Sequence, residues 1–360
     1  MNNLDTNSTT KEETKTMMAY VTAKPFLGIT YVIILGVTSV VGTFGNGLIL
    51  YVVSVKRIIR KVESIFILNL AVSDIFVTAV ANVISLLGKV KGEQYINNIP
   101  GLCVVVASIC TVTCVSSLTT IMVMSINRYV YICAPKYRKI FTNRTSILYC
   151  LAMYVLGSFL CILNVFGIGG HGFDTQGKIC IWDRMASHPY TIVFSVVLVW
   201  IPAIITGIIF LRVYFFVRAR SRANTDRVCI KSSYISVAKS FIIIYLVFII
   251  CWAPYATVIA LEYDNSYPED LHVFVTVFAH LHPCFTWIVY YKTNKRFAEA
   301  YRAIFQSRKN SERRCQNGSI ALPELSSNWS TSPAEVTGHQ NPHSMTDSET
   351  ALNTRPVLSR

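Results

Sequence analysis

The chain has 360 residues, is 52% hydrophobic and only 14% charged, with a mean hydropathy of +0.45. A soluble domain carries about a quarter charged residues, so an ordinary soluble globule is excluded. The net charge of +14 does not point to nucleic acid, because the basic residues lie between apolar blocks and not on one polar domain.

From the N-terminus, residues 1–25 are polar and carry a glycosylation sequon, Asn7-Ser8-Thr9. No basic start followed by a short apolar core and a small-residue cleavage site appears, so the first spanning helix is expected to direct insertion itself. Apolar blocks follow at about 26–55, 63–88, 101–133, 146–168, 189–217, 237–261 and 271–291. A bilayer is crossed by roughly 20 helical residues, and backbone polar groups in lipid must be bonded internally. The blocks therefore read as seven helices, an all-α membrane bundle over 26–293. Residues 294–305 alternate basic and apolar positions at helical spacing (Phe297, Tyr301, Ile304, Phe305), which suits a short amphipathic helix on a membrane surface. Residues 306–360 are rich in Ser, Asn, Thr, Pro and charge and read as a disordered tail.

Orientation follows from lysine and arginine in short loops. The loop after block one holds Lys56, Arg57, Arg60 and Lys61, and the loop after block three holds Lys136, Arg138, Lys139 and Arg144. Block five is followed by Arg218, Arg220, Arg222, Arg227 and Lys231, and block seven by Lys292, Lys295, Arg296 and Arg302. The opposite loops are mixed or acidic: Lys89, Lys91 and Glu93 in one, Glu262, Asp264, Glu269 and Asp270 in another. The N-terminus is expected outside and the C-terminus in the cytoplasm.

Ionisable groups at bilayer depth default to function. Asp74 lies in the middle of block two, either as a hydrogen-bonded carboxylate packed against Asn46 and Ser117 or as a sodium or proton site. His280 and His282 line a cavity or bond a neighbouring helix. Arg128 ends block three. Either it snorkels to the headgroups or it is an output residue, and its neighbour Asn127 is no acid, so no local salt bridge is expected. Pro202 and Pro254 interrupt hydrogen bonding inside blocks five and six, with Trp252 one half-turn before the second. Most of the 11 cysteines lie in apolar blocks, where cysteine acts as a small hydrophobe. Cys103 and Cys180 fall on the expected outer side, where a bridge is stable, and two free thiols are the alternative. No CxxC, HExxH or Walker loop appears; neither an enzyme nor a cofactor is indicated.

Together these residues resemble the rhodopsin-like (class A) G-protein-coupled receptors. The resemblance is carried by Gly45-Asn46-Gly47, Asn69-Leu70-Ala71-Val72-Ser73-Asp74, Cys103, Asn127-Arg128-Tyr129, Pro202, Phe248 with Cys251-Trp252-Ala253-Pro254, and Tyr290. Asn127-Arg128-Tyr129-Val130-Tyr131-Ile132-Cys133, Pro189-Tyr190-Thr191-Ile192 and Asn164 look most like melatonin receptors and their orphan relatives. The resemblance implies a Cys103–Cys180 disulfide and an activation switch of Phe248, Trp252, Pro254 and Tyr290. It also implies an inhibitory heterotrimeric G protein met at Asn127, Arg128 and Tyr129, with arrestin and a receptor kinase as further partners.

The departures carry information. The helix-five histidine of melatonin receptors falls at Leu198, and their outer-loop glutamine near Arg184. The usual helix-four tryptophan is Tyr154, and the helix-five tyrosine that faces the arginine is Phe210. The helix-seven motif reads Thr286-Trp287-Ile288-Val289-Tyr290, with proline moved to Pro283. An ion-binding shell of Asp74 and Ser117 would include His282 and Thr286, which weakens sodium binding. No acid stands at Tyr234 to lock Arg128 to helix six, so a low activation barrier and basal signalling are expected. By family position the ligand cavity is lined by Cys110, Thr111, Cys114, Asn164, Phe194, Leu198, Trp252, Tyr255, Ile259, Thr276 and His280. Cys110 replaces an amine-binding acid and His280 a retinal lysine. Arg184 is placed to meet an anionic group, which suggests a small, lipophilic, neutral or weakly acidic ligand. A receptor-shaped scaffold without G-protein output is the alternative. A transporter or channel is more remote, because no internal repeat is visible.

Overall fold

The computed structural model describes residues 20–56, 61–133, 137–223 and 228–318. The Asn7 sequon, most of the N-terminal tail, Arg57, Arg60, Lys136, Arg227 and residues 319–360 lie outside them. Seven helices are long and apolar enough to cross a membrane: α1 Pro25–Val55, α2 Val62–Lys91, α3 Leu102–Cys133, α4 Asn143–Val165, α5 His188–Phe216, α6 within Val228–Leu261, and α7 Glu269–Thr293. An eighth, α8, runs over Lys295–Gly318.

Local chemistry sets the ends. Pro25 opens α1, where its missing N–H is no loss. Thr142 and Thr145 cap α4 reciprocally, each side chain bonding the other's backbone N–H. The bundle is inverted relative to a soluble protein on its lipid-facing side. Phe26, Ile33, Val40, Leu148, Val155 and Ile204 are exposed, while Asn46, Ser73, Asp74, Ser116, Ser117 and Thr120 are buried. Helices α1 and α7 meet closely at Gly45, where a Cβ would lie 1.9 Å from Trp287 Cδ1. Beside it Asn46 Nδ2 donates to the Gly42 and Pro283 carbonyls at 3.0 and 2.9 Å. Asn46 thus serves the α1–α7 joint and does not bond Asp74.

Three helices depart from regular α geometry. Single π turns occur at Val77–Ala81 in α2 and Ser195–Trp200 in α5, and π turns cluster at functional sites. Helix α7 breaks at His280 and Leu281 and restarts at His282 with Pro283 in its first turn.

Two features differ from the sequence reading. Between α4 and α5 the chain forms a hairpin, β1 His171–Asp174 paired antiparallel with β2 Ile179–Trp182. All four residues of β2 are buried. Cys180 is bonded to Cys103 at the start of α3, which draws the hairpin down onto the bundle. Helix α8 also continues past Phe305, where a disordered tail was expected to begin. Its first turns are anchored by the buried side chains of Phe297 and Tyr301.

Candidate functional site

Helix α3 runs through the middle of the bundle, and functional side chains occur along it at three levels. At the hairpin end, Cys110, Thr111, Cys114, Phe194, Leu198, Trp252, Tyr255, Ile259, Thr276 and His280 are all buried. Asn164 is half-buried. The structure brings these residues together and adds the hairpin between them. His171 Nδ1 lies 2.7 Å from Asn164 Nδ2, and His171 Nε2 3.3 Å from Thr111 Oγ1. The amide N–H can only donate, so Nδ1 accepts and Nε2–H donates to Thr111. Burial lowers the His171 pKa from its ordinary value, in keeping with this neutral form. Trp182 packs its ring 4.1 Å from Phe194 and 5.7 Å from Tyr255. Part of the expected ligand cavity is therefore filled by the chain's own hairpin. His280 Nδ1 bonds Asn82 Oδ1 at 2.7 Å, so this histidine ties α7 to α2 just beyond the π turn.

Arg184 does not present a free cation. It donates to Glu262 and Asn265, its Nε is 3.6 Å from Asp174 Oδ2, and it is buried. Glu262 also meets His272 Nε2 at 2.9 Å and the Tyr267 N–H at 2.9 Å. The expected meeting of Arg184 with an anionic ligand is corrected: protein carboxylates already neutralise it. Lys89 is likewise buried, its Nζ donating to Ser85 Oγ and the Gly177 carbonyl at 3.0 and 2.9 Å. Lys178 pairs with Glu269 at 3.0 Å. These contacts hold the hairpin to α2, α6 and α7. Sequence reasoning missed His171, Asp174, Lys89 and Glu262 because it counted loop charges only for orientation. The hairpin itself had a signal: Ile179-Cys180-Ile181-Trp182 after a glycine-containing turn has strand composition.

At the middle level, Asp74 Oδ2 accepts the Thr286 hydroxyl at 2.8 Å and Oδ1 the Ser117 hydroxyl at 3.4 Å. His282 Nε2 stands 3.7 Å from Oδ1. Trp252 Nε1 donates to His282 Nδ1 at 3.0 Å, and Phe248 stacks on Trp252 with ring centroids 5.7 Å apart. The four side chains expected around an ion do converge, and Trp252 joins them through His282.

At the far level, Arg128 Nη2 lies 3.0 Å from Glu63 Oε2, with both side chains buried. The Arg128 guanidinium also sits 4.9 Å from the Phe241 ring centroid. Arg128 thus has an acidic partner outside the two positions weighed from the sequence, Asn127 and the inner end of α6, and the expected low barrier loses its premise. Among the described residues the acid is supplied by α2. Asn127 is buried and Tyr129 half-buried. Tyr290 is buried against Phe297, centroids 4.8 Å apart. Phe210 packs 5.6 Å from Tyr245.

The inward-facing polar line, the helix break in α7 and the buried arginine at one mouth define a seven-helix signalling receptor, and the sequence comparisons agree. The chain belongs to the rhodopsin family of 7 transmembrane receptors, whose model matches residues 45–290. It is a G-protein-coupled receptor and a multi-pass plasma-membrane protein, of a family of receptors and not of enzymes. Membership implies a G-protein partner and a small-molecule ligand. Among curated relatives it is similar to melatonin receptor type 1B of Homo sapiens, 27% identical over 75% of this chain and 76% of that one. Melatonin receptor type 1A of Mus musculus is 27% identical over 78% and 82%. The fold matches squid rhodopsin with a TM-score of 0.67 at 18% identity, covering 82% of this chain and 92% of that one.

Proposed function

We propose that the hairpin end faces the outside and that a small, neutral, lipophilic ligand binds there, between α3, α5, α6 and α7. The signal passes to an inhibitory heterotrimeric G protein at Asn127, Arg128 and Tyr129. Residues 1–25 form the extracellular tail, glycosylated at Asn7. Residues 26–293 form the transmembrane domain, 294–305 lie as an amphipathic segment on the inner leaflet, and the remaining tail meets receptor kinase and arrestin. The observation that carries the reading is the buried Glu63–Arg128 pair at the mouth flanked by basic loops. A charge so expensive to bury is placed where a partner can uncover it. Ligand acts by favouring one of two packings through differential affinity. The neutral ligand class is supported by the consumption of Arg184 by Glu262 and Asp174.

The test is suppression of cyclic AMP and nucleotide exchange on an inhibitory G protein in cells expressing the chain, during an unbiased ligand screen. Arg128→Ala abolishes both if the reading holds. A scaffold role is favoured by Phe210, which offers Arg128 no hydroxyl. A receptor at the surface that recruits arrestin but drives no G-protein readout would establish that role.

A further inference from the structure

Asp74 is fully buried, and its carboxylate oxygens are unequally engaged. Oδ2 has a short hydrogen bond from Thr286 at 2.8 Å. Oδ1 has a long one from Ser117 at 3.4 Å and faces His282 Nε2 at 3.7 Å. A carboxylate at this depth needs donors or a compensating charge. His282, only 4% exposed, is the side chain placed to serve it, and its Nε2 has no hydrogen-bond partner within bonding distance.

The other ring nitrogen determines what Nε2 carries. Trp252 Nε1–H can only donate, and it lies 3.0 Å from His282 Nδ1. Nδ1 therefore presents its lone pair, and the hydrogen sits on Nε2, 3.7 Å from Asp74 Oδ1. The opposite tautomer would let Nδ1 donate to the Ala279 carbonyl, also 3.0 Å away. It would, however, set two N–H groups against each other at Trp252 and a lone pair against the Asp74 carboxylate. His282 opens the second segment of α7, next to Pro283.

We infer that the imidazole of His282 occupies the place beside Asp74 that an inorganic monovalent cation would need, so that the centre of the bundle is closed to sodium. A hard cation requires oxygen lone pairs around it. Asp74, Ser117 and Thr286 supply such oxygens on one side, but the remaining side presents the hydrogen of an N–H. Position 282 is thus the specificity determinant of the site. With a smaller, oxygen-bearing side chain there, the same three residues become a cation site.

The experiment is a thermal unfolding series on the detergent-solubilised full chain, in sodium chloride and in N-methylglucamine chloride at equal ionic strength. This readout does not involve the G protein, so it succeeds or fails independently of the proposed coupling. The wild type is expected to unfold at the same temperature in both salts. His282→Asn is expected to gain about 2 °C in sodium, the shift given by roughly a tenfold excess of ion over its Kd for a chain of this length. Adding Asp74→Asn removes that gain. His282→Gln serves as the second variant should His282→Asn fold poorly. Sodium stabilisation of the wild type that Asp74→Asn abolishes overturns the inference. So does a failure of both position-282 variants to gain any sodium response.

Discussion

Glu63→Gln keeps the shape of the side chain and removes its charge. Arg128 Nη2 and Glu63 Oε2 are 3.0 Å apart, and the two side chains are 3% and 9% exposed, so water screens the pair little. A hydrogen bond to a charged group contributes about 1.5–3 kcal/mol. On the proposed function that contribution belongs to the closed packing only, because Arg128 would leave Glu63 to meet a G protein. At 1.4 kcal/mol per tenfold, losing it lowers the ratio of closed to open forms by about 10- to 150-fold. A resting open population of about 1% then rises to roughly 10–60%. The assay is ligand-free nucleotide exchange on an inhibitory G protein, with surface receptor matched by labelling of intact cells. Glu63→Asp, which keeps the charge but shortens the reach, falls between wild type and Glu63→Gln. Basal exchange by Glu63→Gln at or below the wild-type level, at matched surface density, would refute the reasoning and reduce the pair to a packing detail.

Arg184→Ala leaves Glu262 buried without its cation, a change that costs about 3–5 kcal/mol. Thermal unfolding should show a large loss, and Arg184→Ala with Glu262→Gln should recover much of it. Cys103→Ala opens a covalent loop spanning 77 residues of sequence, for which chain entropy gives about 4.5 kcal/mol; surface expression should fall and protease should cut the freed hairpin. Gly45→Ala drives a methyl into the Trp287 ring, an overpacking that costs about 1–3 kcal/mol and is read as a lowered unfolding temperature. His171 is held neutral by burial, with its pKa below the ordinary value. Its contribution is full above the ordinary histidine pKa and is lost as pH falls through the lowered one. Acidification should therefore loosen the hairpin, measured by hydrogen exchange in residues 171–182, and His171→Gln should flatten that dependence.

The seven spans were legible because lipid permits few solutions: an apolar block of sufficient length must be a helix. Their ends lie within a few residues of the observed bounds. The convergence of Asp74, Ser117, His282 and Thr286 was legible through family position. What was not legible was the pairing of charges. Glu63 stands among the basic residues after α1, and nothing in its neighbourhood says that it faces a residue 65 positions later. Lys89 and Glu262 read as loop charges because composition does not distinguish a solvated charge from one folded under a hairpin. Arg184 was placed at the ligand for the same reason: its partners, Glu262 and Asp174, are defined only once β1 and β2 cover the mouth. The strands of four residues each are too short to stand out beside helices of more than twenty.

The three levels of α3 make one mechanical argument. Thr111 and Arg128 are 17 residues apart, about 25 Å along a helix. Thr111 bonds the hairpin, Ser117 bonds Asp74 on α2, and Arg128 bonds Glu63, also on α2. Helices α2 and α3 are thus pinned together below the ligand level. Helix α6 is tied differently. Trp252 reaches His282 on α7, and Phe241 offers Arg128 only the face of its ring, a contact of about 0.5–2 kcal/mol. Pro254 removes a backbone bond just above. The inner half of α6 is itself bonded to its neighbours, Ser240 to Thr293 at 2.6 Å and Tyr245 to the Ala203 carbonyl at 2.8 Å, so on the proposed function a swing of that half would have to break both contacts. Glu63 acts at a separate contact, holding Arg128 to α2 in the closed packing. On the proposed function, output would need both that movement and the release of Arg128, so removing Glu63 alone is expected to raise basal output without replacing the ligand.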